Sequence, residues 1–190
     1  MDQNDKEAEY GLCKRLIGSD KRALDELFRD MFPKLVGYAW KYTGQKESAS
    51  DVVQEAFIKL WKIREDLNPN ESVKAYLYST VRNLSLNHIR DNSRVQTGLK
   101  LADLNKEAVQ PEVEQRDETN KQKMKLIKKW ISELPERQQE AFMLSRFEGL
   151  DHEEISLVMN VSPRTVNNHI MQALKNLTEQ RDRHFSNKFE

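Results

Sequence analysis

The stretch Asp151 to Leu177, DHEEISLVMNVSPRTVNNHIMQALKNL, spells two short helices joined by a tight turn. Asp151 can N-cap the first helix, and Glu154, three residues on, can reach back to the Asp151 amide, the reciprocal arrangement of a capping box. Ile155, Val158 and Met159 supply an inward face. Asn160 tolerates the left-handed conformation that a helix end needs, and Val161 can tuck into the angle. Ser162-Pro163 then opens the second helix with a hydroxyl cap and a proline at the first helical position. At about 3.6 residues per turn, Val166, Ile170, Ala173, Leu174 and Leu177 share one face, and Arg164, Asn168, Met171, Gln172 and Lys175 fall opposite. Arginine, asparagine and glutamine match the donors and acceptors of guanine and adenine in the major groove, where a recognition helix presents them from its N-terminal half. A helix-turn-helix reader of duplex DNA is expected. The competing reading is a packed helix pair with an ordinary polar surface.

Composition narrows the setting. With 190 residues, 37% hydrophobic and 33% charged, the chain suits one or two small helical domains better than one large core. No apolar run approaches the length of a membrane span, and the opening MDQNDKEAEYG is acidic and polar, unlike a signal peptide, so a cytoplasmic protein is expected. Cys13 is the sole cysteine and sits on an apolar helix side, which favours core filling over reactivity. His88, His152, His169 and His184 are dispersed without metal-site spacing, and neither a catalytic constellation nor a cofactor or small-molecule site is expected. The net charge of zero is awkward for a protein that binds DNA unaided, because phosphate neutralisation supplies much of such affinity; a partner bringing positive surface would resolve it.

Upstream of the opening stretch the periodicity is helical throughout, so the fold class expected is all-α. One helix runs from Glu7 to Ile17 and stops at Gly18; a second follows Ser19-Asp20 and should be kinked or split at Pro33. After Thr43-Gly44, Ser48 or Ser50 is expected to begin a third helix with Val53, Ala56, Phe57, Leu60 and Trp61 as its buried stripe. Its other side carries Asp51, Gln54, Glu55, Ile58 and Lys62, an exposed isoleucine framed by acids and amides that suits a protein-docking surface as well as it suits a solvated face. Asn68-Pro69-Asn70 marks a loop, and Ser72 can cap a fourth helix, where Tyr78, Arg82, Asn83, Asn87, Arg90 and Arg94 interleave aromatic and polar groups. Such interleaving suits single-stranded nucleic acid, and simple tyrosine packing is its plain alternative. Periodicity fades from about Asn92 to Asn120, a flexible linker whose second half is acidic through Asp103, Glu107, Glu112, Glu114, Asp117 and Glu118. Met124, Ile127, Trp130, Ile131 and Leu134 then form the inner stripe of another helix, and Pro135 opens the next, with Ala141, Phe142, Leu144 and Phe147 inward or flanking and Gly149 at its end. A polar tail from Glu179 to Glu190 should fray.

In this order the segments resemble an extracytoplasmic-function (ECF, group IV) RNA polymerase sigma factor over nearly the whole chain. ALDELFRDMFPKLVGYAWKYTGQKESASDVVQEAFIKLW looks like the part of the sigma-two domain that ends in the clamp-docking helix. VKAYLYSTVRNLSLNHIR looks like the helix beside the melted downstream promoter element, in wording most like versions from Bacteroidetes. LPERQQEAFMLSRFEGLDHEEISLVMNVSPRTVNNHIMQAL looks like the sigma-four domain. The resemblance implies a sigma-two-like domain over 1–93, an acidic linker over 94–120 and a sigma-four-like domain over 121–190. It implies docking on core RNA polymerase, at the beta-prime clamp through Asp51, Gln54, Glu55 and Ile58 and also at the beta flap. The upstream element would be read as duplex by Ser162, Arg164, Thr165, Asn167, Asn168 and Gln172, with Lys175 on phosphate. The downstream element would be held as single strand by Asn68, Asn70, Tyr78, Arg82, Asn83, Asn87 and Arg90, with a flipped base caught by the Asn68 to Ser72 loop. Asn87 departs from a pattern that often has an acid there. The resemblance further implies a chain that is monomeric when free, held inactive by a membrane-associated anti-sigma factor. The alternative is a LuxR-like transcription regulator, since VSPRTVNNHIMQALKNL also resembles that family's reader; the Asp51 to Trp61 helix discriminates, because a sensor module has no stated need of it.

Overall fold

A computed structural model describes residues 3–95 and 118–186, which fall into two compact units divided after Pro111. Every regular element among the described residues is helical, and none is long and apolar enough to cross a membrane. The acidic linker carboxylates from Asp103 to Asp117 lie outside the described residues; Glu118 opens a helix.

In the first unit, α1 (Gln3–Ile17), α2 (Lys21–Thr43), α3 (Lys46–Lys62) and α4 (Val73–Val95) are joined by short turns and a 3₁₀ turn at Arg64–Asp66. Helices α2, α3 and α4 pack on one another around Leu35, Ala39, Val53, Ala56, Leu60, Leu77, Tyr78 and Val81, all buried. Asp20 caps α2 by accepting the Arg22 N–H at 2.9 Å, and Gly44, at φ 66°, ends it in the left-handed conformation that spares glycine a Cβ clash. Two expectations need correction here. Pro33 does not split α2: it stands on the exposed side, while Leu27, Met31, Leu35 and Tyr38 hold the helix down on both sides of it. Nor does Ser48 or Ser50 begin α3. The helix starts at Lys46, because the chain reverses at Gly44 and Ala49 is already buried in its first turn.

In the second unit, α5 (Glu118–Ser132), α6 (Glu136–Arg146), α7 (His152–Met159) and α8 (Pro163–Ser186) assemble with α8 at the centre, touching the other three. Ile131, Leu134, Phe142 and Ala173 form a core cluster, flanked by Met143, Leu174 and Leu177. Pro135 sits at the N-cap of α6, one residue before its first turn, and Gly149, at φ 69°, makes the turn into α7. The expected inner stripe of α5 is only half realised: Ile131 and Leu134 are buried, but Met124 and Ile127 are 49% and 41% exposed, because only the last turn of α5 reaches the core. Phe147, just past α6, is likewise exposed while keeping an edge contact with Phe142. Finally, Glu179 to Ser186 is no frayed tail. It continues α8, with His184 set edge-on against Trp130 of α5 at 5.7 Å.

Candidate nucleic-acid interface

The helix-turn-helix forms as its capping residues dictate. Asp151 Oδ1 accepts the amides of Glu153 and Glu154, both at 2.9 Å, and Glu154 Oε2 accepts the Asp151 amide at 2.7 Å. Asn160 closes α7 at φ 54°, ψ 53°. Ser162 Oγ accepts the Thr165 amide at 3.1 Å and shares a hydrogen bond with the Thr165 hydroxyl at 2.8 Å. Ile155, Val158, Met159, Val166, Ile170 and Ala173 are buried, so the register of α8 is fixed by its apolar face. Arg164, Asn167, Asn168, Gln172 and Lys175 are consequently exposed, and Thr165 is half-buried beside them. Neither Arg164 nor Lys175 is held in an ion pair among the described residues, and the chain from Ile155 to Thr178 contains no acid. The outcome is a row of amides and cations on a rigid helix, beginning at a helix N-terminus whose partial positive charge favours phosphate.

The first unit presents two further surfaces. On α3, Asp51, Gln54, Glu55 and Ile58 are all exposed, Ile58 at 54%, as the burial of Val52, Val53, Ala56, Phe57 and Leu60 requires. Glu55 is bridged by Lys59 at 3.0 Å, an exposed pair that a docking partner can replace at little cost. On α4, Asn83, Asn87 and Arg90 are exposed at steps of four and three, one stripe of the helix. Two residues assigned to that stripe are elsewhere. Tyr78 is 1% exposed and packs edge-on against Tyr38 at 5.1 Å, and Arg82 is 7% exposed, so both belong to the core and neither offers a surface to a base. Tyr76 takes that place: 76, 80, 83, 87 and 90 continue one row by the same steps, and Tyr76 is half-buried with its ring at the head of it. The three- and four-residue spacing that places Tyr76 in this row is present in the sequence, two positions before Tyr78.

At the head of the stripe lies a cleft of about 210 Å³ lined by Ile63, Asp66, Leu67, Asn68, Glu71, Ser72, Val73 and Tyr76. That is below the roughly 300 to 1,000 Å³ of sites for drug-sized ligands and suits one planar ring. Its rim is ordered from within. Asn68 Oδ1 accepts the Asn70 amide at 3.1 Å, Asn68 Nδ2 donates to Glu71 Oε1 at 3.1 Å, and the Glu71 amide donates to the Asn68 carbonyl at 2.9 Å. The Asn68 side chain is therefore occupied in shaping the loop, and Asn70, exposed like Asn68, donates its own side-chain amide to Asn68 Oδ1 at 3.4 Å. No group of three or more metal-ligating side chains occurs among the described residues.

Comparison with known proteins agrees with this geometry. The family description "Sigma-70 region 2" matches residues 27–95, the span of α2 to α4, and "Sigma-70, region 4" matches residues 125–177, from α5 into α8. The RNA polymerase sigma-H factor of Pseudomonas aeruginosa is 27% identical over 174 residues, 88% of this chain and 90% of that one. The ECF RNA polymerase sigma-E factor of Haemophilus influenzae is 26% identical over 172 residues, 87% of this chain and 90% of that one. Among solved structures, the sigma factor RpoE of Bartonella quintana, in complex with the anti-sigma factor NepR, superposes with a TM-score of 0.63 at 20% identity, over 82% of this chain and 94% of that one. A region 2 and a region 4 in that order, matched nearly end to end by such relatives, place the chain in the sigma-70 family of RNA polymerase sigma factors, in its extracytoplasmic-function group.

Proposed function

We propose that this sigma factor docks on core RNA polymerase through the exposed Asp51, Gln54, Glu55 and Ile58 face of α3, and also on the beta flap. Through its two units it then grips a two-part promoter. The division of labour is a sigma-two-like part that ends with α4, a linker that runs up to α5, and a sigma-four-like part that begins with α5. Arg164, Asn167, Asn168 and Gln172 read the upstream duplex, Thr165 lies within the same row, Ser162 chiefly sets the helix start, and Lys175 takes phosphate. Downstream, the stripe of Tyr76, Asn83, Asn87 and Arg90 tracks the separated strand, and the cleft bounded by Asn68 to Ser72 takes one unpaired base. Capturing that base nucleates opening, because an extruded base costs a few kcal/mol that stacking in a closed site must offset. The observation that carries the reading is the co-occurrence of three outward faces on buried-core helices: a docking face, a base-sized cleft heading a polar stripe, and an acid-free reading face.

The factor works in the cytoplasm, without chemistry or cofactor of its own. It is monomeric when free and is held inactive by a membrane-associated anti-sigma partner. Capture of purified core polymerase by the full chain, followed by transcription from mapped promoters, tests the reading. Glu55→Arg combined with Ile58→Asp should abolish capture while leaving the melting temperature within a degree or two; unchanged capture would remove the docking assignment.

A further inference from the structure

Helix α1 lies before both matched spans, yet it and the turn that follows it hold the two ends of the segment that lines the base-sized cleft. At one end Glu9 Oε1 accepts the Ser72 hydroxyl at 2.6 Å and the Lys74 amide at 3.4 Å, while Ser72 Oγ accepts the Ala75 amide at 3.2 Å. A carboxylate borrowed from α1 thus extends the cap of α4, at a terminus whose free amides and dipole favour a negative group. At the other end Arg64, in the 3₁₀ turn, donates through Nε to Ser19 Oγ at 2.9 Å and through Nη1 to the Trp61 carbonyl at 2.9 Å, its guanidinium lying 4.6 Å from the Trp61 ring centre. Between those anchors run Glu65 to Glu71, whose own bonds shape the rim but tie it to no other helix among the described residues. Beyond its chain connections to α3 and α4, the rim is therefore held by Glu9 of α1 at one end and by Ser19, just past α1, at the other.

We propose that Glu9 is a positioning residue for base capture, and that α1 is a splint holding the cleft in its receiving shape before DNA arrives. The proposal rests on the reading of that cleft as the seat of an unpaired base. Ordering the loop in advance removes the entropy that binding would otherwise have to offset, so the benefit appears as affinity for the captured base and nowhere else. Glu9 itself touches no nucleotide.

The test uses the full chain assembled with core polymerase and fluorescent single strands spanning the downstream element, each nucleotide being replaced in turn by an abasic site. The native protein should show one position at which removing the base weakens binding roughly tenfold, the scale of one stacked base. With Glu9→Ala, affinity for the intact strand should fall by that same factor while affinity for the strand abasic at that position stays put, so the discrimination collapses. Glu9→Gln, which keeps an acceptor for Ser72, should restore part of it. Glu9→Asp, which keeps the charge but shortens the reach to Ser72 and touches no residue lining the cleft, should reproduce much of the collapse and serves as the second variant if Glu9→Ala folds poorly. Native discrimination retained in either of these variants would overturn the splint, and so would equal weakening of intact and abasic strands. A native protein with no base-sensitive position would instead overturn the reading of the cleft.

Discussion

At the scale of single residues, the two kinds of DNA contact should separate cleanly. Arg164 and Gln172 stand exposed with no competing carboxylate on the stretch that carries them, a setting in which bidentate contact with a base edge is worth about 1–3 kcal/mol. Arg164→Ala and Gln172→Ala should therefore each flatten preference at particular upstream positions by that amount, read from binding of polymerase carrying the variant to a panel of single-base promoter changes. Lys175→Ala should weaken every sequence alike and lower the salt slope by about one. A uniform loss in all three variants would show that readers and anchors have been confused. Cys13 supplies a different check. It is wholly buried, and burial first, then the charges of Glu9 and Glu71, push its thiol above the ordinary range, so it stays protonated at neutral pH. Alkylation of the native chain should proceed only as fast as unfolding exposes it, and rapid labelling of the folded protein would contradict the packing of α1.

At the scale of elements, what could be read from the sequence was whatever a local rule decides. Asp151 and Glu154, Asn160, and Ser162 with Pro163 act within one turn of themselves, and each does in the structure what its type requires. The apolar faces of α3 and α8 were legible for a related reason, since a strong period leaves one register. Errors arose where a neighbouring element decides. Pro33 survives inside α2 because packing on both sides outweighs one lost hydrogen bond. Met124 and Ile127 look like core residues and are exposed, since nothing in the sequence of α5 says that only its last turn meets the other helices. The two tyrosines of α4 differ by two positions, and which of them faces inward depends on where Tyr38 of α2 lies. Glu9 could not be found from spacing at all, because its partner Ser72 is 63 residues away. The corrected register makes its own prediction. Tyr78→Ala should cost about 3–5 kcal/mol of stability, as for other large aromatics cut from a core. Tyr76→Ala should leave thermal melting nearly unchanged while weakening the grip on single-stranded downstream DNA roughly tenfold. The reverse pattern would mean that the helix has been placed in the wrong register.

At the scale of the whole molecule, a net charge of zero sits beside a stretch from Ile155 to Thr178 that carries no acid, and the two are reconciled if the polymerase supplies most of the electrostatic hold on DNA. Specificity then belongs to the chain and affinity to the assembly. Permanganate mapping of unpaired thymines tests that coupling, on a promoter incubated with the chain alone, with core polymerase alone, and with both. Unpaired thymines in the downstream element should appear only with both present, and should vanish when Glu55→Arg and Ile58→Asp are introduced together. Opening without the chain, opening that survives the double substitution, or high-affinity sequence-specific binding of duplex DNA by the chain alone would contradict it.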